Sequence, residues 1–127
     1  MTVLYETTIK EIGTEAADLL EGGVLILFRV GAPRELAEVA VLHEPTIRDA
    51  TAPAPSDTFV IGNEKFKITA VGETAWKKVQ DMDHVVFSFN GASAVERPGE
   101  ICVEAVPGER LKPLITLGGK LAVLSAD

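Results

Sequence analysis

The chain has 127 residues and a formal net charge of −7, with 46% hydrophobic and 24% charged residues. This length allows one domain with its own core, and the composition is that of a folded, water-soluble protein. The excess of acidic residues argues against a nucleic-acid-binding protein, which needs a basic surface to replace phosphate counterions.

The chain also gives two indications of where it works. Its single cysteine, Cys102, excludes an internal disulfide, and in the run Ile101-Cys102-Val103 it is interpreted as a small buried residue in a reducing compartment. The N-terminal residues have no signal-peptide pattern. The longest apolar run, Val24 to Phe28, is far shorter than the ~20 residues that cross a bilayer. We therefore expect a cytoplasmic protein with no direct membrane insertion.

The first third of the chain predicts two strands around a short helix. Residues 3–12 alternate loosely between apolar and polar side chains, which favours a strand. Residues 14–20 contain helix formers, with Thr14 as the expected cap and Gly22-Gly23 as the stop signal. Val24 to Phe28 then predicts a buried strand.

A second short helix is expected before the next strand. Pro33 can occupy the first position of a helix over residues 34–38. That helix leads into the apolar run Val39-Ala40-Val41-Leu42, which we interpret as a strand that ends at His43 before a turn-rich loop.

The centre of the chain predicts a hairpin followed by a helix and a strand. Residues 59–61 and 65–71 flank the turn Gly62-Asn63-Glu64, and alternation in the second arm places Phe66, Ile68 and Ala70 on one face. Residues 74–82 form the best predicted helix. Residues 84–89 return as a strand.

The last quarter predicts one more strand and a closing hairpin, over residues 100–106 and then 113–117 with 120–124 across Gly118-Gly119. No internal repeat is evident. We therefore predict a mainly β fold: a small β-barrel or sandwich of about eight or nine short strands with two or three short helices.

Several kinds of functional site are not supported by the sequence. No phosphate-binding glycine loop and no serine nucleophile motif occurs. Asp81-Met82-Asp83-His84 offers three potential metal ligands, but a helix-to-strand junction explains its polar residues more simply as caps and solvated ends. We expect neither a metal nor another cofactor.

The two histidines, His43 and His84, each lie at the edge of an apolar run. A histidine in such a place is more often structural than catalytic. His43, however, is expected at the junction of a rigid strand with a loop, where functional side chains are commonly displayed. Arg29 and Arg34 are further cations that match phosphate geometry, but Arg29 also fits an outward-facing position on the sheet, and we leave both out of the expected catalytic set.

Four segments follow one another along the chain: MTVLYETTIKEIG, VLILFRVGAPRELAEVAVLHE, FKITAVGETAWKKV and DHVVFSFNGASAVERPGEICVEA. Together with the predicted closing hairpin, and in this order, they resemble the IIA component of the glucitol/sorbitol phosphotransferase system. The most specific part is FRVGAPREL followed, after a short spacer, by the strand that carries His43. The resemblance covers the whole chain and rests on the order and spacing of the segments.

The resemblance implies a single IIA-type phosphocarrier domain over residues 1–127. Such a protein accepts a phosphoryl group from HPr on a histidine, which corresponds to His43. It then passes the group to a cysteine of the IIB component, which phosphorylates the sugar entering through the membrane component IIC. Some relatives have another histidine soon after the acceptor; here Glu44-Pro45 follows, so no role carries over for such a neighbour.

His84 is a candidate supporting residue, because a second histidine can hydrogen-bond a phosphoryl oxygen in a different IIA family. Glu44 is the nearest carboxylate that could orient the His43 ring, although neighbouring strand residues point to opposite faces. Since the acceptor must meet two partners, we expect His43 to be partly exposed in a shallow apolar depression.

Two other functions remain open. One is a non-catalytic partner-binding or regulatory module of the same fold, in which His43 is structural. The other is a small β-barrel that binds a small molecule through its histidines, which predicts saturable sugar binding by the isolated protein.

Overall fold

In the computed structural model, which describes residues 1–126, eight strands close into a single barrel. The strands are β1 Thr2–Ile12, β2 Val24–Arg29, β3 Val41–Arg48, β4 Thr58–Ile61, β5 Glu64–Val71, β6 Val85–Ser88, β7 Glu100–Val103 and β8 Lys120–Ser125. The helices are α1 Ala16–Glu21, α2 Arg34–Ala37, α3 Ala75–Met82 and α4 Gly108–Leu111, followed by a 3-10 turn at Lys112–Leu114. The order around the barrel is β1-β3-β2-β6-β7-β5-β4-β8. The prediction of a mainly β fold, a small barrel or sandwich, is confirmed, and the structure is a barrel with four short helices where two or three were expected.

The barrel interior is filled by the apolar face of each strand. In β5 the predicted alternation is confirmed, since Phe66, Ile68 and Ala70 are buried. Phe59 and Phe87 stack inside the barrel with ring centroids 4.0 Å apart. The cavity left inside measures about 10 Å³, which is about the space of one water molecule. This cavity is too small to hold a sugar.

Strand β3 differs from its prediction, because it does not end at His43 but continues through Pro45 to Arg48. A proline lacks the N–H that a central strand needs. Pairing of β3 with β2 extends only to Arg29 opposite His43, so Pro45 lies where β3 has β1 as its one remaining partner strand. The missing donor is tolerated there.

The C-terminal hairpin was also predicted wrongly. Residues 108–114 form α4 and the 3-10 turn, and β8 pairs instead with β1 and β4. Gly118 and Gly119 still form a tight turn, but they bond to Ile9 of β1, with N···O distances of 2.8 and 2.9 Å. Two smaller predictions also differ: β7 ends at Val103, and α1 starts after Glu15 with no capping hydrogen bond from a side chain.

The strand pairing contains an internal repeat that the sequence analysis missed. In the first half, β1 is antiparallel to β3, which is parallel to β2. In the second half, β5 is antiparallel to β7, which is parallel to β6. Strand β8 pairs with β1 and completes the first half, and β4 pairs with β5 and completes the second. The two halves meet through two antiparallel pairs, β2 with β6 and β4 with β8. Ile9 lies opposite His43 in the first half, and the equivalent residues in the second half are Ile68 and Val103, which also lie opposite each other.

Two glycines mark equivalent points in the halves. Gly13 follows β1 and Gly72 follows β5, and each precedes a short helix with a buried alanine at its start. The Gly13 N–H donates to Ala40 O, and the Gly72 N–H donates to Glu100 O. A β-carbon on Gly13 would lie 2.3 Å from a backbone oxygen, and one on Gly72 would lie 2.2 Å from a backbone oxygen. Only glycine allows the two chain segments to approach this closely.

Candidate functional site

His43 lies inside one end of the barrel and is 0% exposed. Its Nδ1 is 2.7 Å from the Thr7 hydroxyl oxygen, and its Nε2 is 2.7 Å from the backbone oxygen of Asp83. The expectation of a partly exposed His43 was therefore wrong. The reason is that the turn between α3 and β6 folds over the imidazole and places the Asp83 carbonyl against Nε2.

The two hydrogen bonds determine which ring nitrogen carries the proton. A carbonyl oxygen can only accept, so His43 Nε2 must be the protonated nitrogen and must donate to Asp83 O. Nδ1 then accepts a hydrogen bond from the Thr7 hydroxyl. A hydroxyl both donates and accepts, so Thr7 can also accept from Nδ1–H if the proton changes nitrogen. Glu44, by contrast, is exposed on the opposite face of β3.

Asp83 connects His43 to two charged or polar partners. Its side chain is 1% exposed, and its backbone has a left-handed conformation, with φ of 52°. The Tyr5 hydroxyl donates to one carboxylate oxygen at 2.8 Å. Arg48 donates from Nε at 2.9 Å and from Nη2 at 2.7 Å, one bond to each oxygen. This bidentate pairing is the strong form of an ion pair.

Arg29 holds the same turn from the neighbouring strand. Its guanidinium donates to the backbone oxygens of Asp81 and Met82, and its Nε lies 3.8 Å from the Asp83 carboxylate. The Arg29 and Arg48 side chains are 46% and 50% exposed. The buried His43 cluster is therefore covered on its solvent side by two arginines.

The pKa values follow from this arrangement. Burial lowers the pKa of His43 below 6.5; the Asp83 carbonyl and carboxylate oppose the change, and Arg48 and Arg29 add to it. Burial alone raises the pKa of Asp83, but the hydrogen bonds from Arg48 and Tyr5 outweigh it and the pKa is lower than usual. Burial and the Asp83 carboxylate raise the pKa of Tyr5. Near pH 7 His43 is neutral and Asp83 is charged.

A β-bulge brings Arg48 to this cluster. Thr7 pairs with Pro45 but Glu6 pairs with Ile47, so β3 has one extra residue between these positions. Without the extra residue, Arg48 would face away from His43, because side chains alternate along a strand. With it, Arg48 pairs with Tyr5 and shares the inward face with His43.

His84 does not touch His43. Its Nδ1 donates to the backbone oxygen of Leu27 at 3.0 Å, and its ring lies 5.0 Å from the ring of Phe28. Val85 at the start of β6 faces the core, so the side chain before it, that of His84, points to the outer face. His84 therefore anchors the turn that carries Asp83, and no hydrogen bond joins the two histidines in residues 1–126.

The internal repeat shows that this polar cluster is not required by the fold. In the second half, the positions of Thr7 and His43 are taken by Phe66 and Val103, which are both buried apolar residues. The left-handed residue after the helix is Gly23 in the first half and Asp83 in the second. The same barrel position therefore tolerates an apolar core, and burying polar groups there adds a free-energy cost.

The sequence and fold comparisons agree with one another. The model of the family described as "PTS system glucitol/sorbitol-specific IIA component" matches residues 4–122. The chain belongs to this family. The glucitol/sorbitol-specific EIIA components of Shigella flexneri and Escherichia coli strain K12 are each 36% identical to it over 119 residues, which cover 88% of this chain and 95% of each relative. The crystal structure of a PTS system IIA component from Enterococcus faecalis V583 superimposes with a TM-score of 0.73 at 25% identity, covering 94% of this chain and 98% of that one.

The sequence analysis identified only part of the site of this IIA component. It singled out His43, but it missed Thr7, Tyr5, Asp83 as a charged partner, and Arg48. For Thr7 and Tyr5 a signal was present, since both alternate with buried Ile9 along β1. Arg48 had no such signal, because its orientation depends on the bulge.

Two features of this IIA component bear on cofactors and membranes. Among residues 1–126, no three His, Cys, Asp or Glu side chains come close enough to hold a metal ion. None of the helices in the same range is long and apolar enough to span a bilayer.

The burial of neutral His43 predicts a specific pH dependence of stability. The lowered pKa means that the unfolded chain binds a proton at a higher pH than the folded protein. Stability from this group is therefore complete above about pH 6.5 and is lost as the pH falls towards the folded-state pKa. We expect the free energy of unfolding to fall as the pH drops below about 6.5, at a slope of at most about 1.4 kcal/mol per pH unit.

The measurement is urea unfolding at several pH values for the wild type and for His43→Gln, which has no titrating ring. The variant should lose most of the slope in this window. Equal slopes for the two proteins would show that His43 is accessible to protons in the folded state.

Proposed function

We propose that this IIA component is the phosphocarrier of a sugar phosphotransferase system, with His43 as its phosphorylated residue. It accepts a phosphoryl group from phospho-HPr and passes it to a cysteine of the IIB component, for uptake and phosphorylation of glucitol/sorbitol through IIC. The observation that carries the proposal is a buried, neutral imidazole at His43 with two arginines nearby. The equivalent position in the other half of the barrel is occupied by an apolar residue, Val103.

The local chemistry suits phosphoryl transfer. A neutral imidazole nitrogen is a good acceptor near pH 7, and burial keeps His43 neutral. Phosphoryl transfer needs in-line positioning and stabilisation of charge on the phosphoryl oxygens, with little further chemistry from the protein. Arginine provides such stabilisation through paired N–H groups. Nε2 is the proposed acceptor atom, because Nδ1 faces Thr7, which is itself fully buried.

A second candidate function is favoured by one observation. His43 is fully buried and both of its ring nitrogens are hydrogen-bonded, as in a structural histidine. The second candidate is therefore a non-catalytic partner-binding or regulatory module of the same fold. The first candidate requires the Asp83 turn to move before transfer; the second requires no movement.

The test is phosphoryl transfer from labelled phosphoenolpyruvate through enzyme I and HPr to the wild-type protein. We expect one label per chain, which acid releases and base does not, and which mass spectrometry of peptides assigns to His43. A reaction without HPr is the control. An unlabelled protein in the presence of active phospho-HPr would support the binding module instead.

His84 is proposed as a positioning residue for the turn that covers His43. His84→Ala removes its hydrogen bond to Leu27 O and its packing on Phe28, so the Asp83 turn loses an anchor. Since this turn must open before transfer, we expect labelling several-fold faster than in the wild type, with the label still on His43. His84→Asn keeps a donor near the position of Nδ1 and should bring the rate most of the way back to the wild-type value.

The measurement is the initial rate of labelling at fixed phospho-HPr, together with the melting temperature of each variant. If His84→Ala and His84→Asn label at the wild-type rate, His84 has no role in the transfer. If both variants label equally fast and faster than the wild type, the hydrogen bond to Leu27 is not what holds the turn.

A further inference from the structure

The Asp83 carbonyl occupies the position from which a phosphoryl group must approach His43. It lies 2.7 Å from Nε2, and the imidazole has no exposed surface. An attack in line with the breaking bond needs the phosphorus atom on the axis of the Nε2 lone pair. In the present arrangement that lone pair does not exist, because Nε2 carries the proton. The turn at Asp83 must therefore open before transfer.

The turn is held closed chiefly through the Asp83 carboxylate. Tyr5 and both nitrogens of the Arg48 fork bind it, and Arg29 bonds to the two residues before it. Asp83 itself has φ of 52°, a conformation that costs free energy in a residue with a side chain. The closed turn thus depends on these contacts.

Arg48 binds Asp83 in the closed form, and its position beside the His43 cap also suits a contact with a phosphoryl group on His43. In the closed form it binds the carboxylate of the residue whose carbonyl caps His43. Its side chain is half exposed, so it can follow a new partner without being extracted from the core. A phosphoryl group on Nε2 carries more negative charge than a carboxylate and offers three oxygens to the same fork.

We infer that Arg48 is a catalytic residue that exchanges partners: it binds Asp83 when His43 is capped and binds the phosphoryl oxygens when His43 is phosphorylated. This inference rests on the proposed function. Asp83 and the phosphoryl group then compete for one guanidinium, so the bond that closes the turn is the bond that phosphorylation replaces.

The covalent step moves the phosphoryl group from a nitrogen of the donor histidine to Nε2 of His43. When the turn opens, the Nε2 proton passes to solvent and Nδ1 takes up a proton. The Nδ1–H group then donates a hydrogen bond to Thr7 Oγ1. The Nε2 lone pair attacks phosphorus and forms a P–N bond. The P–N bond of the donor histidine breaks, and its electron pair stays on the donor nitrogen. No oxidant, reductant or further reactant is needed.

The experiment measures the equilibrium of phosphoryl exchange between HPr and this protein, from the fractions phosphorylated at known concentrations. Arg48→Gln should shift the equilibrium towards phospho-HPr several-fold, because the phosphoryl group carries more charge than the Asp83 carboxylate and therefore loses more when the guanidinium is removed. Asp83→Asn should shift it several-fold in the opposite direction, because the competing charge is removed. Arg110→Gln is the matched control, since Arg110 pairs with Glu64 in an exposed ion pair away from His43, and it should leave the equilibrium unchanged.

Opposite shifts for the two variants separate this role from a structural one. If Arg48 only closes the turn, both variants open the turn and both shift the equilibrium in the same direction, which overturns the inference. An unchanged equilibrium in Arg48→Gln also overturns it. Arg48→Lys, which keeps the charge but not the fork, should lie between the wild type and Arg48→Gln, and it replaces the glutamine variant if that variant does not fold.

Failure of the inference is distinguishable from failure of the proposed function. If the wild type accepts no label from phospho-HPr, the proposed function fails. If the wild type is labelled on His43 while the Arg48 and Asp83 variants shift the equilibrium together or not at all, only the partner exchange fails.

Discussion

Replacement of His43 by glutamine is expected to abolish phosphoryl acceptance. Glutamine has no nitrogen lone pair with the basicity of an imidazole, so no P–N bond forms. Labelling from phosphoenolpyruvate through enzyme I and HPr should fall to the background of a reaction without this protein, a loss of about 10³-fold or more for removal of a nucleophile. The glutamine amide is polar and of similar length, so it can still donate to Asp83 O.

The control for this prediction is Glu44→Gln, a change at the next residue, which is exposed. That variant should be labelled at the wild-type rate. Circular dichroism and thermal unfolding must show that His43→Gln is folded. Label on a folded His43→Gln variant would place the acceptor on another residue and would leave His43 with a structural role.

Replacement of Gly72 by alanine is expected to produce a large loss of stability. The new β-carbon would lie 2.2 Å from Pro98 O and 2.8 Å from Glu100 O. Both atoms belong to the backbone, so they cannot rotate away as a flexible side chain would. The β5–α3 connection and the strand end at β7 must separate, which costs about 3 kcal/mol out of the 5–15 kcal/mol of a typical domain. The melting temperature should fall by about 10 °C.

The internal repeat supplies a parallel and the chain supplies a control. Gly13→Ala should be destabilising to a similar degree, because its β-carbon would lie 2.3 Å from Ala37 O. Gly22→Ala is the control: its nearest contact would be Leu19 O at 3.5 Å, an ordinary distance. Urea unfolding of the three variants measures the effect. A Gly72→Ala protein as stable as Gly22→Ala would show that the two backbones are not in close contact.

The capped histidine links the two candidate functions to one movement. In a phosphocarrier, a buried and neutral acceptor is protected from solvent until a partner opens the Asp83 turn. In a binding module, the turn stays closed. The experiments on His43, His84 and Arg48 therefore all concern the Asp83 turn. Each of these residues holds the turn through a different hydrogen bond.

Local patterns determined much of the barrel. Alternation in β5, the glycines after α1 and the apolar run of β2 each depend on residues close in sequence, so these predictions were correct. The predicted strand that ends at His43 and the predicted hairpin over residues 113–124 were wrong. Both errors concern where a strand finds its neighbours, which depends on pairing between distant residues: Pro45 is tolerated because β2 stops at Arg29, and β8 pairs with β1 and β4.

The sequence by itself determined the mainly β fold and the resemblance to the glucitol/sorbitol IIA family, and it singled out His43. Only the tertiary structure decided that His43 is buried, that Asp83 caps it, and that Thr7, Tyr5 and Arg48 surround it. The physical reason is the distance along the chain between these residues. One added residue in β3 reverses the face that Arg48 occupies, and the closure of the barrel brings the end of α3 over the imidazole. Neither event leaves a local pattern in the amino-acid sequence.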